Sequence, residues 1–298
     1  WPRLRRLDGA DVVISWLTAD PLRRLSAKPL KIHSLQINDW LLCGYGYDAY
    51  VDVFVACTEA HKRHLLSEPM APTNGHFEVV PNGTLMDRFS GLGPRIPHKC
   101  VYLSSPDRGL HWLLAMWPEI RFAYPDAELH VYYEIQKWLD TTLLQNSEVG
   151  NRARYVVHRV EALQRHGVTV HGACDPGSLG KTLSTADLML YPCDPTRFTE
   201  GYGVAVLDAC AAGVVPVITD ADALGEVYGE SGAVVVPRGT ERSWTDNYVE
   251  AVLALMKVRD GIEQRRARVR EFATRYDWAI VAQQWDTMIQ RNIERVKS

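Results

Sequence analysis

This sequence predicts a doubly wound, parallel α/β fold divided into two domains, and three observations predict it. From Cys100 onward, short apolar runs bounded by turn residues alternate with longer helical stretches, which is the pattern of parallel strands joined by right-handed crossovers. The first hundred residues hold a further set of strand-like segments. The chain has 298 residues, enough for two cores of ordinary size, roughly 100–200 residues each.

In chain order, Asp11–Trp16, Leu30–Leu35, Val51–Ala56 and Phe77–Val80 read as strands, rich in β-branched and aromatic residues. The aromatic, glycine-bearing segment Ile37–Tyr47 lies between the second and third, where the carboxyl edge of a parallel sheet offers a ligand surface. Thr58 is the expected N-cap of a helix running to Leu66, and the Gly- and Pro-rich run Ser90–Pro97 reads as a linker. In the second half the strands are Cys100–Leu103, Glu128–Tyr133, Val168–His171, Leu188–Tyr191, Val215–Thr219 and Ala233–Val236. Helices are expected near 109–123, 151–166, 176–185, 203–212, 242–258, 261–275 and 278–295. Ligands of such sheets bind beyond the carboxyl ends of the strands. That places Ser104-Ser105, Tyr133-Glu134, His171-Gly172, Tyr191 to Gly203 and Thr219-Asp220 on the candidate surface.

Composition narrows the class. Hydrophobic residues make up 46% of the chain, charged residues 23%, and the net charge is -3, an ordinary globular balance that points to no nucleic-acid partner. The basic clusters Arg3-Leu-Arg-Arg6, Arg23-Arg24 and Arg265-Arg-Ala-Arg268 read as solvated faces, with peripheral contact to an anionic membrane surface as the alternative. Six scattered cysteines form no Cys-x-x-Cys pair and suggest reduced, mostly buried thiols. The chain shows no apolar run of transmembrane length and no secretory signal, so a cytoplasmic location is expected. It starts at Trp1 rather than Met, which leaves an upstream segment open.

The most informative stretch runs from Tyr191 to Asp220: a strand, a glycine-punctuated loop Thr199-Glu-Gly-Tyr-Gly203, a helix ended by Gly213, and a second strand. The loop opens onto a helix N-terminus, where first-turn amides and the helix dipole favour an anion and glycine lets a phosphate approach the backbone. Gly201, Tyr202, Gly203 and Val204 are therefore candidate donors to a diphosphate. Two acids bracket them. Glu200 lies in the loop, where a carboxylate can hold sugar hydroxyls, and Asp208 lies in the second helical turn, from which it can reach a ribose diol.

Glu200-Gly-Tyr-Gly-Val-Ala-Val-Leu-Asp208-Ala-Cys-Ala-Ala-Gly-Val-Val-Pro216-Val217 resembles the Glu-x7-Glu motif of retaining glycosyltransferases with the GT-B fold, most closely glycosyltransferase family 4. Asp208 is one methylene shorter than the family's second Glu. In the first half, Val51-Asp52 through Thr58 and Val79-Val-Pro-Asn82-Gly83-Thr-Leu-Met-Asp87-Arg-Phe89 are similar to two further segments of that family.

The resemblance implies two Rossmann-like domains with the N-terminal one shortened. Residues 1–93 would form the acceptor-side domain, 94–277 the donor-binding domain, and 278–298 a helix crossing back to the first. It also implies residue roles. Ser104-Ser-Pro-Asp-Arg108-Gly109 occupies the place of the family's two-cation segment: Arg108 matches the second cation, and Ser104 or Ser105 stands where the first would be. His171 and Gly172 match a turn whose backbone meets the nucleotide base. His33 falls too early in its strand for the family's sugar-contacting His, and Gln36, Asn38 and Asp39 are better placed.

The implied reaction is transfer of a sugar from a UDP-, GDP- or ADP-sugar to a glycan, lipid or small acceptor, with retention and without a metal or other cofactor. Glu200 and Arg108 are the expected catalytic residues. Asp220-Ala-Asp222 follows a strand and is read as turn structure ending at Glu226 rather than as a metal pair. A catalytically weak sugar-nucleotide-binding or scaffold domain is the alternative. A dinucleotide oxidoreductase is disfavoured because no Gly-x-Gly-x-x-Gly follows a strand.

Overall fold

The computed structural model describes residues 7, 9–26, 28–43, 46–90, 93–142, 147–193, 198–239 and 243–297. The chain separates into two compact units. The first comprises Trp1–Gly83, Glu200–Tyr202 and Tyr276–Ser298, and the second Thr84–Thr199 and Gly203–Arg275.

In the first unit, β1 (Val12–Trp16), β2 (Leu30–Ser34), β3 (Val53–Ala56) and β4 (Phe77–Val79) pair in sequence order, all parallel. Side chains alternate across a strand, so the sheet has two apolar faces. One carries an aromatic cluster in which Trp40 stacks on Tyr47 at 5.1 Å, Phe54 on Phe77 at 5.2 Å, and Trp40 meets Phe54 edge-on at 5.5 Å. The buried indole nitrogen of Trp40 donates to the Leu65 carbonyl at 2.9 Å, so the largest side chain of the cluster leaves no polar atom unpaired. The other face packs Leu30, Ile32, Val53, Val55 and Val80 against Val281 and Met288 of α10 (Trp278–Lys297), joined by Trp278 and Trp285. α1 (Glu59–Ser67) starts as the sequence predicts: Thr58 is its N-cap, accepting from the His61 amide.

The second unit contains β5 (Lys99–Tyr102), β6 (Glu128–Val131), β7 (Val168–Val170), β8 (Leu188–Tyr191), β9 (Val215–Thr219) and β10 (Val234–Val236). They are parallel in the order β7-β6-β5-β8-β9-β10, which makes this a Rossmann sheet whose order reverses between β5 and β8. All of β8 is fully buried, as its unbroken apolar run demands. Around the sheet lie α2 (Leu110–Ala123), α3 (Ile135–Thr142), α4 (Ser147–Leu163), α5 (Pro176–Leu183), α6 (Val204–Ala211), α7 (Leu224–Tyr228), α8 (Ser243–Lys257) and α9 (Arg259–Thr274).

Two of these helices, α3 and α7, lie outside the sequence expectation, and both are short. α3 follows directly on β6, so its Ile135 and Trp138 are too few to show a helical period beside a strand. α2 carries Pro118 in its interior, where no amide is available for the Leu114 carbonyl, and Arg159 of α4 donates to that carbonyl at 3.1 Å. Of the Ser90–Pro97 run, expected to be a linker, Gly91 and Leu92 lie outside the described residues, and Arg95 is held within the second unit, donating to the Leu183 and Ala186 carbonyls, both at 2.7 Å.

Candidate functional site

At a point where strand order reverses, the two adjacent loops diverge and leave a crevice at the carboxyl end of the sheet. Here those loops follow β5 and β8, and they bring Ser104 to Gly109 beside Tyr191 to Cys193. Gly109, at φ +104°, brings the start of α2 so close to Pro192 that any Cβ would overlap the Pro192 carbonyl. Arg108, half-buried, is the residue just before that contact. Ser104 is buried, with its hydroxyl 3.2 Å from that of Tyr191, while Ser105 donates to the Asp107 carboxylate and offers its carbonyl to Tyr102 Oη at 2.8 Å. Both serines thus shape the loop that presents Arg108.

The segment Thr199 to Gly203 is pinned at both ends. The Asp222 carboxylate accepts from the Thr199 amide at 2.6 Å and from its hydroxyl at 3.2 Å, so the Asp220-Ala-Asp222 turn holds the start of that segment. Gly203, at φ +83°, leaves no room for a side chain: a Cβ would sit 2.7 Å from Leu224, and Tyr228 Oη donates to the Gly203 carbonyl at 2.8 Å. The consequence appears at the helix starts. α1 and α5 are capped by the side chains of Thr58 and Asp175, whereas α2 and α6 begin at Gly109 and Gly203 with no side-chain cap. The first-turn amides at the latter two starts are the kind that binds an oxyanion.

Asp208, half-buried in α6, accepts from Thr84 Oγ1 at 2.6 Å. Burial holds its carboxyl above the ordinary value, and the Thr84 bond and the charge of Arg88 offset that only in part. His171 stacks on Tyr132 at 4.5 Å, and its Nε2 lies 2.8 Å from His130 Nδ1. Burial, then the neighbouring His130 and Lys99, lower its pKa, which favours a neutral ring. Gly172 follows it, and the next amide, of Ala173, donates to Glu134 Oε1 at 3.2 Å.

Glu200, Gly201 and Tyr202 belong to the first unit. Glu200 is 7% exposed and Tyr202 3%, and Tyr202 packs edge-on to Tyr276. The Gly201 carbonyl is held by Thr58 Oγ1 at 2.9 Å. His33 is fully buried, 2.8 Å from Ser15 Oγ and 3.2 Å from Cys43 Sγ. Burial takes its pKa down to about 4, so at neutral pH it is an uncharged part of the core. Thr58, Thr84, Asp222 and Tyr228 were not singled out as site residues from the sequence. Thr84 could have been: it directly follows the Asn82-Gly83 of a segment already picked out. Among the described residues, no three His, Cys, Asp or Glu side chains cluster as metal ligands, and no helix is long and apolar enough to cross a membrane.

Residues 98–257, more than half of the chain, match the family described as glycosyl transferases group 1. The chain belongs to that family. Among curated relatives, it is 33% identical over 236 residues to the GDP-mannose:cellobiosyl-diphosphopolyprenol alpha-mannosyltransferase of Xanthomonas campestris, covering 75% of this chain and 54% of that one. It is 26% identical over 216 residues to the phosphatidyl-myo-inositol mannosyltransferase of Mycobacterium leprae, covering 69% and 51%. It therefore spans about half the length of the curated relatives it matches. Solved structures share the fold, two of them as follows. The Anabaena protein HepE, crystallised with UDP and glucose, superposes with a TM-score of 0.73 at 12% identity, over 97% of this chain and 80% of that one. Sucrose-phosphate synthase from Thermosynechococcus elongatus gives 0.70 at 14%, over 95% and 74%. These neighbours are GT-B glycosyltransferases, and the pair of Rossmann-like parallel sheets seen here is of that class.

Proposed function

We propose that this chain is a retaining glycosyltransferase that takes a sugar from a nucleotide-sugar without a metal. The observation that carries the reading is the pair of helices entered through positive-φ glycines, Gly109 and Gly203, at the point where strand order reverses, with Arg108 beside the first. In the proposed reaction the bond from the anomeric carbon to the diphosphate breaks while an acceptor oxygen bonds to the same face, and the acceptor's proton passes to the departing phosphate. Charge building on that phosphate is met by the guanidinium of Arg108, a planar fork suited to two oxygens, and by the amides of Val204 and Ala205. Glu200 orients the sugar and stabilises positive charge at the anomeric centre. His171, Gly172 and Asp208 take the nucleoside. The names of the Xanthomonas and Mycobacterium relatives favour mannose as the sugar, GDP as the carrier and a lipid-linked acceptor.

A second reading, a sugar-nucleotide-binding domain with little turnover, is favoured by the Thr84 bond, which occupies one oxygen of Asp208. Thermal shift with UDP, GDP, ADP and their sugars identifies the nucleotide, and slow hydrolysis of the donor separates an enzyme from a binder. Glu200→Gln is expected to abolish transfer while nucleotide binding survives. Wild-type turnover in that variant would remove Glu200 from the mechanism.

A further inference from the structure

Within the first unit one hydroxyl makes two bonds. Thr58 Oγ1 accepts the His61 amide at 2.9 Å, closing the first turn of α1, and donates its own proton to the Gly201 carbonyl, also at 2.9 Å. Cys57 Sγ reaches the same carbonyl at 3.3 Å and His61 Nδ1 at 3.1 Å. His61 Nε2 lies 3.0 Å from the Ile37 carbonyl, which can only accept, so Nε2 carries the ring proton and Nδ1 is an acceptor, which the Cys57 amide meets at 3.5 Å, leaving the single thiol proton of Cys57 for the Gly201 carbonyl. Burial pulls His61 down to about 4 and pushes Cys57 up to about 12, so both are neutral around pH 7. Thr58 and Cys57 are each 5% exposed, which shields these bonds from competing water. The fit at Gly201 is close: a Cβ there would meet Asn38 Oδ1 and His61 Cγ, each at 3.2 Å.

This carbonyl belongs to the residue next to Glu200, in a loop whose glycines at 201 and 203 give the backbone more freedom than other residues would. Fixing the backbone beside such a carboxylate narrows the directions in which it can point. We infer that Thr58 is a positioning residue for Glu200: its hydroxyl, seconded by the Cys57 thiol, fixes the Gly201 carbonyl and so the direction in which the Glu200 carboxylate meets the donor sugar. The inference rests on the reading of Glu200 given above.

The dual bonding supplies the test. Thr58→Asp keeps a good N-cap acceptor for His61 but has no proton for Gly201, whereas Thr58→Ser keeps both bonds. Donor hydrolysis is measured on the full chain with GDP-mannose, UDP-glucose and ADP-glucose. The fastest donor gives kcat, calorimetry with its nucleoside diphosphate gives affinity, and melting curves report the fold. Thr58→Asp is expected to melt with the wild type, bind nucleotide as the wild type does, and lose kcat on the order of 10²-fold. Thr58→Ser should retain near-wild-type kcat. Cys57→Ala, which adds no charge, should lose kcat by a smaller factor, and it serves as the readout if Thr58→Asp does not fold.

Wild-type kcat in Thr58→Asp, equal impairment in Thr58→Ser, or a loss confined to nucleotide affinity would overturn the inference. With Thr58→Asp unfolded, wild-type kcat in Cys57→Ala does so. Glu200→Gln runs alongside. If it is inactive while Thr58→Asp is fully active, Thr58 alone is excluded. If Glu200→Gln keeps its turnover, or the wild type hydrolyses none of the three donors, the functional reading fails and takes the positioning role with it.

Discussion

The two ends of the second sheet use charge in opposite ways. At the amino end, Asp187, just ahead of β8 and 1% exposed, accepts from the His98 amide at 2.9 Å and pairs with both Arg259 and Arg266. Arg95 and Arg270 donate to carbonyls at the C-termini of α5 and α6, those of Leu183, Ala212 and Ala211, where the helix dipole is negative. Burial, and then Arg266, lower Arg95 to about 10, which leaves it charged at neutral pH. At the carboxyl end, α6 and α2 begin at glycines with no capping side chain. The same helix, α6, thus takes arginine at its far end and begins at a glycine at the near one. Charge at the amino end holds the fold, whereas the helix starts at the carboxyl end are where the reading proposed above puts the diphosphate.

Exchange of the two effects would break this contrast, and the largest effect is expected at the foot. Asp187→Ala leaves Arg266, itself 8% exposed, without its buried partner, and such losses cost about 3–5 kcal/mol. Urea unfolding should show the midpoint fall, while nucleotide affinity, measured where the variant is still folded, stays at the wild-type value. A loss of affinity with an unmoved midpoint would reverse the assignment. Arg108→Ala should do the opposite: kcat lower by about 10²–10³-fold, with an unfolding midpoint close to that of the wild type. A destabilised Arg108→Ala with normal kcat would return Arg108 to the framework.

The contrast also shows what could be read from sequence. The strands of the second sheet were legible as short apolar or alternating runs between turn residues, and the wholly buried β8 and β9 fall where the pattern puts them, at Leu188–Tyr191 and Val215–Thr219. The loop from Glu200 to Gly203 was legible as a helix entry because glycines and a following helix former announce one locally. What holds that loop was not. Asp222 is 23 residues from Thr199, and Thr58 is 143 from Gly201, and no periodicity connects such pairs. Asp222 looked like half of an acidic pair because its spacing from Asp220 is all the sequence shows. The arginines of the amino end read as solvated surface for the same reason: Arg266 sits in a basic run, and only the fold brings Asp187 to it.

The smallest expected effect sharpens the contrast at Asp208, which is proposed above for the nucleoside and is also bonded within its own unit. Asp208 is bonded to Thr84 like a framework residue, yet burial raises its pKa above the ordinary 3.8. The sign follows from proton linkage. A raised folded-state value means that the folded chain holds this proton more tightly than the unfolded chain does. Stability from this group therefore falls as pH climbs from 3.8 through the folded value, and the full penalty remains above it. Asp208→Asn keeps an acceptor for Thr84 and does not titrate. It should be at least as stable as the wild type at pH 7, by a margin well below the loss at Asp187, and that margin should close as pH is lowered towards 3.8. If the nucleoside is what the buried acid serves, the same variant binds nucleotide more weakly while unfolding no earlier. If Asp208→Asn is instead the less stable protein across the whole pH range, the carboxylate belongs with Asp187 as part of the framework.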